Sequence, residues 1–483
     1  MIAISDVADR TAALMLKRDD TLTTDQKALA INLDPLKYGS IVEIGAGQEV
    51  ARRFFQVGAA AGTVAKTMSA YDMAVSDDIY GPVSRYVSRE RLEQMLAKEF
   101  QQVVSRLGSV RARNTTFFAY AATVTARSFG QNNECHGWVG IRLQLHPGAD
   151  PSDILLHVRM LDADNAQQCE ALGILGVNLI HGALTHAMHP EWLIEGLADG
   201  LTPERIEVDL IDFSGLYFDD IDNRLMNLQL IRSWLTRAVV MQPDGRMVVP
   251  RDLFYRKPVM VIRGSFKPVT NVNVDMLDSG RRAFSRLESV SEDSIVSLAE
   301  ITMNTIASGD TVDSADCLAR VDLLAELGYT VMISDYLRFF RLRAYLRTHT
   351  TRPIGIVLSV RDFNTLFDER YYEGLEGGLL EAFGKLFPDN TQVYTYPSRP
   401  SEAGELTTLH TVPVPNHLRH LLAYLIDTGK LVAIDDHDPQ LLGIDATDVL
   451  NGIRRGRGAW EALVPDSVAA QIIERRLFGF DTD

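Results

Sequence analysis

The segment whose residue types and spacing are most suggestive of chemistry runs Gly264-Ser265-Phe266-Lys267-Pro268-Val269-Thr270-Asn271-Val272-Asn273. It follows the apolar run Val259–Arg263, which predicts a buried strand, and it precedes a segment of helical periodicity. A glycine turn between a strand and a helix brings backbone N–H groups close to a bound ligand. Open parallel sheets bind ligands at the carboxyl ends of their strands, so we expect Gly264 and Ser265 at such an edge.

This segment resembles the signature G-x-F-D-P-x-[HT]-x-G-H of the nucleotidylyltransferase superfamily, which includes the nicotinate and nicotinamide mononucleotide adenylyltransferases. Four positions match that signature: Gly264, Phe266, Pro268 and Thr270. Lys267 replaces its acidic residue, Val272 its glycine, and Asn273 its final histidine. In the family that histidine contacts the nucleoside triphosphate and stabilises charge at the α-phosphate. Asparagine carries no charge, so adenylyl transfer here requires Lys267 or an arginine to compensate.

The resemblance implies a nucleotide-handling enzyme that uses ATP with Mg²⁺ and a mononucleotide. It assigns the binding of the nucleotide to Gly264, Ser265 and Thr270, and the catalytic role to Lys267 and Asn273. The alternative is a turn that is structural or only binds, within a non-catalytic oligomeric scaffold or sensor.

The chain as a whole also resembles a set of large bacterial cytoplasmic proteins that carry the names nicotinate-nucleotide adenylyltransferase or TonB-dependent receptor by transfer. The segments that carry this resemblance are Asn133–Trp138 and Leu375–Phe383. The receptor name is excluded because the sequence has neither a signal peptide nor a series of amphipathic barrel strands.

A second glycine turn lies in Ile41-Val42-Glu43-Ile44-Gly45-Ala46-Gly47-Gln48-Glu49. It resembles motif I of S-adenosylmethionine-dependent methyltransferases and, more distantly, the dinucleotide fingerprint. The resemblance implies that Gly45 and Gly47 approach the cofactor and that Asp72, at the end of the next predicted strand, binds ribose hydroxyls. Glu49 and Val50 occupy the positions at which the two motifs place a third glycine. A structural turn is the alternative.

A third cluster is the predicted loop Asn132-Asn133-Glu134-Cys135-His136-Gly137-Trp138. A cysteine beside a histidine is a candidate nucleophile, because an imidazolium stabilises a thiolate. Adjacent residues of an extended chain point to opposite sides, however, so a packed turn is the alternative for Cys135 and His136. Closely spaced histidines, at 181, 186 and 189 and at 417 and 420, lack a recognisable metal motif, and we predict no metal site.

The periodicity predicts an α/β protein in two parts. Residues 1–250 are predicted as an α/β domain with an antiparallel meander, and residues 251–483 as a Rossmann-like domain with a mostly parallel sheet, because strands there alternate with long helices. The meander strands are predicted at Thr116–Ala126, Trp138–His146 and Ile154–Leu161. One face of the meander is predicted to bind an anion or to meet solvent, through Arg142, Gln144, His157 and Arg159. In the second part, Asp293–Ile306 is predicted as a helix.

Composition narrows the class of protein further. The 483 residues carry a net charge of −16, which disfavours nucleic acid as the main partner. The three cysteines are widely spaced, so neither a disulfide framework nor a thiolate zinc site is indicated. We expect a soluble cytoplasmic protein without membrane insertion, and the apolar helices are compatible with a homo-oligomer.

Overall fold

The computed structural model describes residues 22–45, 47–111, 114–125, 134–308, 311–388, 390–399, 404–456 and 458–481. The chain separates into two compact units, the first ending at Val239 and the second beginning at Val240. The described residues contain no helix that is long and apolar enough to cross a membrane.

The first unit is built on a six-stranded mixed sheet in the order β2-β1-β3-β4-β5-β6. Its strands are β1 Lys37–Gly45, β2 Val64–Ala70, β3 Thr116–Val124, β4 Cys135–Leu143, β5 Ser152–Met160 and β6 Ile206–Ser214. Its helices are α1 Thr24–Asn32, α2 Val50–Gln56, α3 Met73–Tyr80, α4 Arg89–Arg111, α5 Asn165–Thr185, α6 Pro190–Leu197 and α7 Asn223–Arg232. The strand β1 pairs in parallel with β2 and β3. The strands β3, β4 and β5 form the expected antiparallel meander, and β6 pairs antiparallel with β5 beside it.

Both faces of this sheet are covered in part by helices. The large apolar core packs α1, α2, α5, α6 and α7 against one face, with side chains such as Phe54, Leu175 and Leu197. On the other face, Phe100 and Val103 of α4 pack against Phe117 of β3. The spacing of apolar residues on α4 is that of a helix with one buried stripe, as its sequence predicts.

The second unit is built on an eight-stranded sheet in the order β16-β15-β14-β9-β10-β13-β7-β8. The strands are β7 Ala238–Met241, β8 Met247–Val248, β9 Val259–Arg263, β10 Val296–Thr302, β13 Thr330–Ser334, β14 Ile354–Ser359, β15 Thr391–Tyr396 and β16 Leu431–Ala433, and a separate hairpin is formed by β11 Ala307–Ser308 and β12 Thr311–Val312. The helices are α8 Pro250–Phe254, α9 Asn271–Phe284, α10 Met303–Ile306, α11 Ser314–Glu326, α12 Phe339–His349, α13 Phe363–Phe367, α14 Gly378–Leu386, α15 Arg419–Asp427, α16 Ala446–Arg454 and α17 Asp466–Arg475.

Six of the eight strands, from β13 to the edge strand β16, form a doubly wound parallel sheet. From β9 the chain moves outward through β10 to β13, then crosses back to β14 and moves outward again through β15 to β16. This is the strand order 3-2-1-4-5-6. The α/β fold class, with one mostly parallel sheet, is therefore confirmed.

The predicted helix Asp293–Ile306 is wrong over most of its length, because Val296–Thr302 is strand β10. This strand pairs with a parallel neighbour on each side, β9 and β13, and nearly all its residues are buried. A strand that is buried on both faces is a continuous apolar run, and periodicity does not separate such a run from a buried helix.

Candidate functional site

The strands β9 and β14 are parallel neighbours in the second sheet. On one side of this pair the chain adds strands in one direction, and on the other side it adds them in the opposite direction. Ligands of open α/β sheets bind outside the carboxyl ends of the strands at such a switch point. Gly264 and Ser265 follow β9 directly, and a short 3-10 helix, Val360–Asp362, follows β14. The segment with the nucleotidylyltransferase-like pattern thus begins at this switch point.

Phe266 shapes the turn after β9. Its ring is almost fully buried, and its φ of 46° is in the left-handed region, which a bulky residue seldom adopts. A Cβ atom on Gly264 would lie 3.0 Å from the Phe266 ring, so the glycine allows the ring to pack under the turn. Ser265 is left exposed to solvent.

The next residues begin α9. Thr270 is the N-cap residue, and its backbone N–H and its hydroxyl both donate to Oδ1 of Asn273, at 3.0 and 2.9 Å. This reciprocal arrangement is a capping box, in which the residue at the third helical position accepts from the N-cap backbone. Asn273 therefore has a structural role through its Oδ1. Its amide nitrogen has no acceptor among the described residues and remains a donor at the start of the helix.

The lysine of this turn forms an ion pair with a carboxylate on the neighbouring helix α11. Lys267 Nζ lies 2.5 Å from Oδ1 of Asp316, on α11, and Lys267 keeps 29% of its side chain exposed. The other carboxylate oxygen of Asp316 pairs with the buried Arg320, which also donates to the carbonyl oxygens of Ser265 at 3.2 Å and Thr305 at 3.0 Å. Arg320 fixes the turn, and Lys267 is the most exposed of the three charged residues.

Residues after β14 and β15 complete the edge of the sheet. Arg361 donates to Asp445 at 3.1 Å and to the carbonyl oxygen of Arg399 at 3.0 Å. Asp275 of α9 accepts from the Tyr396 hydroxyl at 2.6 Å, and burial with this hydrogen bond raises the pKa of Tyr396. Arg361 comes shortly after the strand β14, so its position in the sequence indicates this edge of the sheet. The contact between Asp275 and Tyr396 joins segments that are far apart in the sequence, so no local pattern predicts it.

A buried ion pair holds three strand ends together. Arg263 donates two hydrogen bonds to Glu300, at 2.7 and 2.9 Å, and Ser334 donates to the same carboxylate at 2.5 Å. These residues lie on β9, β10 and β13, and Glu300 is completely buried. The pair keeps the carboxyl ends in line, and it leaves neither charge available to a ligand.

The first-unit glycine turn has a different role. A Cβ atom on Gly45 would lie 2.0 Å from the carbonyl oxygen of Val124, and one on Gly47 would lie 2.5 Å from Leu172. Both glycines thus permit close packing against β3 and α5. Ala46 lies outside the described residues.

A carboxylate of the chain itself occupies the helix start after this turn. Glu43 of β1 is buried and accepts from the backbone N–H groups of Val50 at 3.0 Å and Ala51 at 3.2 Å. Burial raises the pKa of Glu43 to about 7, against these hydrogen bonds, which lower it. Asp72 accepts from Val75 N at 3.1 Å as the N-cap of α3. Packing, charge and capping thus account for the residues that suggested a methyl-donor site.

Cys135 and His136 do not form a loop, since β4 begins at Cys135. Cys135 is buried in the apolar core, whereas His136 lies on the other face, with its Nδ1 3.1 Å from Nε2 of His157. The two side chains diverge because successive residues of a strand alternate between faces. The predicted neighbours Asn132 and Asn133 lie outside the described residues.

The meander face that carries His136 contains internal ion pairs, where the sequence suggested an anion site or a solvated face. His157 Nδ1 lies 2.5 Å from Oδ1 of Asp209. Arg159 joins Glu134 and Glu207, at 2.7 and 2.5 Å, and Arg142 and Gln144 are bound to Asp153 and to backbone groups. Cross-strand pairing brings these residues together, and their acidic partners are what the sequence interpretation missed.

The histidines of α5 and its C-terminal turn pack with one another and with Trp192. His181 and His186 have ring centroids 5.9 Å apart, and His189 stacks on Trp192 at 4.4 Å. Burial lowers the pKa of His181 to about 4. Among the residues described by the structure, no group of three or more His, Cys, Asp and Glu residues is arranged to hold a metal ion.

Comparison with known proteins gives only partial structural similarities. No protein-family model matches the sequence, and no curated protein matches it. A competence/damage-inducible protein from Agrobacterium tumefaciens is similar at 16% identity and a TM-score of 0.23, over 35% of this chain and 97% of that one. A provisional nicotinate-nucleotide adenylyltransferase from Vibrio parahaemolyticus is similar at 12% identity and a TM-score of 0.24, over 47% and 97%. Similarities of this extent carry no argument about function.

Proposed function

We propose that this chain is a nucleotide-handling protein that binds the phosphates of a nucleotide at the switch point of its second sheet. The observation that supports this most is the coincidence of three features at one place: the reversal of strand order, the turn Gly264–Pro268, and the N-terminus of the 14-residue helix α9. Helix N-termini supply unpaired N–H groups and a favourable field for anions.

The proposed phosphate site consists of a cradle of backbone groups and one cationic side chain. Gly264 and Ser265 border the cradle, and the amide nitrogen of Asn273 adds a donor. Thr270, which the sequence assigned to binding, is fully buried and caps the helix behind the cradle. Lys267 would exchange its contact with Asp316 for a ligand phosphate, while Arg320 keeps Asp316 paired. A lysine acts here as a mobile point charge rather than as a fixed fork.

Nucleotide binding is better supported than adenylyl transfer. Asn273 is neutral and its Oδ1 is used by the cap, so it does not replace a catalytic histidine. If the protein is an enzyme, Lys267 is the group that would stabilise charge on the α-phosphate of ATP. The pairing of Lys267 with Asp316 is the observation that favours the second candidate, a non-catalytic sensor or scaffold.

Calorimetric titration of the full chain with ATP–Mg²⁺ and with nicotinamide mononucleotide tests the proposal, and pyrophosphate release with both present tests for transfer. Binding by the wild type and tenfold or more weakening in Lys267→Ala are expected. Lys385→Ala is the matched control, because Lys385 has a similar contact, 2.6 Å from Glu381. A cytoplasmic location and a homo-oligomeric state remain predictions from the sequence.

A further inference from the structure

A cavity of about 510 Å³ lies at the amino-terminal ends of β10 and β13, the edge of the sheet opposite to Gly264. Its walls come from α9, from residues 295–297 and from residues 327–330. The volume is within the range of small-molecule sites. Apolar side chains line part of the cavity, among them Leu253, Val274, Ile295 and Leu327.

Two opposite charges line the cavity without pairing to each other. Asp278 and Arg281 are three residues apart on α9 and therefore lie on one face of the helix. Asp278 has neither an ion pair nor a hydrogen bond to any described residue. Arg281 has one long hydrogen bond, from Nη2 to the carbonyl oxygen of Glu292 at 3.4 Å, and its Nε is buried without a partner.

Further polar groups border the same space. The hydroxyl of Ser297 is buried without a hydrogen-bond partner. Tyr329 also lines the cavity, and burial together with the charge of Asp278 raises its pKa. The cavity thus has a polar side, with Asp278, Arg281 and Tyr329, and an apolar side, with Leu253, Ile295 and Leu327.

We propose that this cavity binds a free α-amino acid with an apolar side chain. The carboxylate of the ligand accepts from the Nη groups of Arg281. Its ammonium group donates to Asp278. The side chain of the ligand packs against Leu253, Ile295 and Leu327.

The unpaired charges select this class of ligand over simpler ones. A carboxylic acid without an ammonium group leaves Asp278 without a partner and places two negative charges close together. An amine without a carboxylate leaves Arg281 unpaired. A molecule that carries both groups on one carbon atom, as an α-amino acid does, satisfies both residues while its side chain covers the apolar wall. The inference is independent of nucleotide binding.

Calorimetric titration of the full chain with five apolar L-amino acids, each beside its two truncated analogues, tests the inference. For leucine the analogues are 4-methylpentanoate, which lacks the ammonium group, and 3-methylbutylamine, which lacks the carboxylate. We expect leucine or another apolar amino acid (isoleucine, valine, methionine, phenylalanine) to bind at least tenfold more tightly than its two truncated analogues. Absence of binding by all five amino acids, or equal binding of an analogue, overturns the proposal.

Variants locate the binding. Asp278→Asn and Arg281→Met are each expected to weaken amino-acid binding tenfold or more. Arg282→Met is the matched control, because Arg282 is adjacent on α9 but pairs with Asp436, at 2.7 Å. Lys267→Ala is expected to leave amino-acid binding unchanged, which separates this site from the nucleotide site. Binding that survives in both Asp278→Asn and Arg281→Met refutes the assignment.

Discussion

Replacing Glu43 by glutamine is expected to change how the stability of the first unit depends on pH. The carboxylate of Glu43 is buried, and it receives the backbone N–H groups of Val50 and Ala51 at the start of α2. Burial raises its pKa from 4.5 to about 7. The native state therefore keeps the proton of Glu43 at pH values where the unfolded chain has already lost it.

The size of the effect follows from the two pKa values. A pKa raised on folding means that stability is highest below about pH 4.5 and falls as the pH rises to about 7. The difference between about 7 and 4.5, at about 1.4 kcal/mol per pH unit, amounts to about 3 kcal/mol. Glutamine does not titrate, so Glu43→Gln removes this loss. Glutamine has one side-chain oxygen instead of two, so one backbone N–H group loses its acceptor, and this lowers the free energy of unfolding by about 1 kcal/mol at either pH.

Urea unfolding at pH 5 and pH 8 measures the prediction. The chain has four tryptophans, and the Trp460→Phe background leaves Trp138, Trp192 and Trp234, all in the first unit, as the fluorescence reporters. The free energy of unfolding of Glu43→Gln, taken relative to the parent protein at the same pH, is expected to be about 2–3 kcal/mol higher at pH 8 than at pH 5. An equal effect at both pH values would refute the assignment of Glu43 as a buried acid with a raised pKa.

Two further predictions concern packing and charge. Gly47→Ala is expected to destabilise the first unit by about 1–3 kcal/mol in urea, because its Cβ would lie 2.5 Å from Leu172, whereas Gly108→Ala, on helix α4 of the same unit, is expected to cost nothing, because its Cβ would meet only Val104, at 3.9 Å; equal effects of the two variants would contradict the packing role. Arg263→Met is expected to destabilise the second unit by about 3–5 kcal/mol, because it leaves Glu300 buried and unpaired, and Arg263→Met with Glu300→Leu is expected to recover much of that loss. Fluorescence of Trp460 in urea follows this unit when the three tryptophans of the first unit are replaced by phenylalanine, and a double variant as unstable as the single one would contradict the account.

Periodicity predicted those elements whose apolar residues recur at a regular spacing. The helix α4 has a single apolar stripe, and the strand β4, although buried on both faces, alternates apolar residues with glycine or arginine over Val139–Leu143, so both were predictable. The strand β10 was not, because it is buried on both faces and its apolar residues do not alternate. Its charged residue, Glu300, is balanced by Arg263, which lies 37 residues away in the sequence.

The candidate site was predictable in position but only partly in the roles of its residues. A glycine turn after an apolar strand indicated the edge of the sheet. The strand order shows in addition that this part of the edge lies at the switch point between β9 and β14. The use of Asn273 in a helix cap and the pairing of Lys267 with Asp316 depend on side-chain geometry. Likewise, the sequence places Glu43 in an apolar strand, but it does not show that the carboxylate lies at the start of α2 and accepts from Val50 N.

The central claim is that the switch point of the second sheet binds nucleotide phosphates with the help of Lys267. The most direct test is calorimetric titration of ATP–Mg²⁺ and of nicotinamide mononucleotide into the wild type, Lys267→Ala and Lys385→Ala. The account predicts binding of at least one of the two ligands to the wild type and to Lys385→Ala, and a loss of tenfold or more in affinity for Lys267→Ala. Binding that is equal in all three proteins, or no binding of either ligand to the wild type, would contradict it.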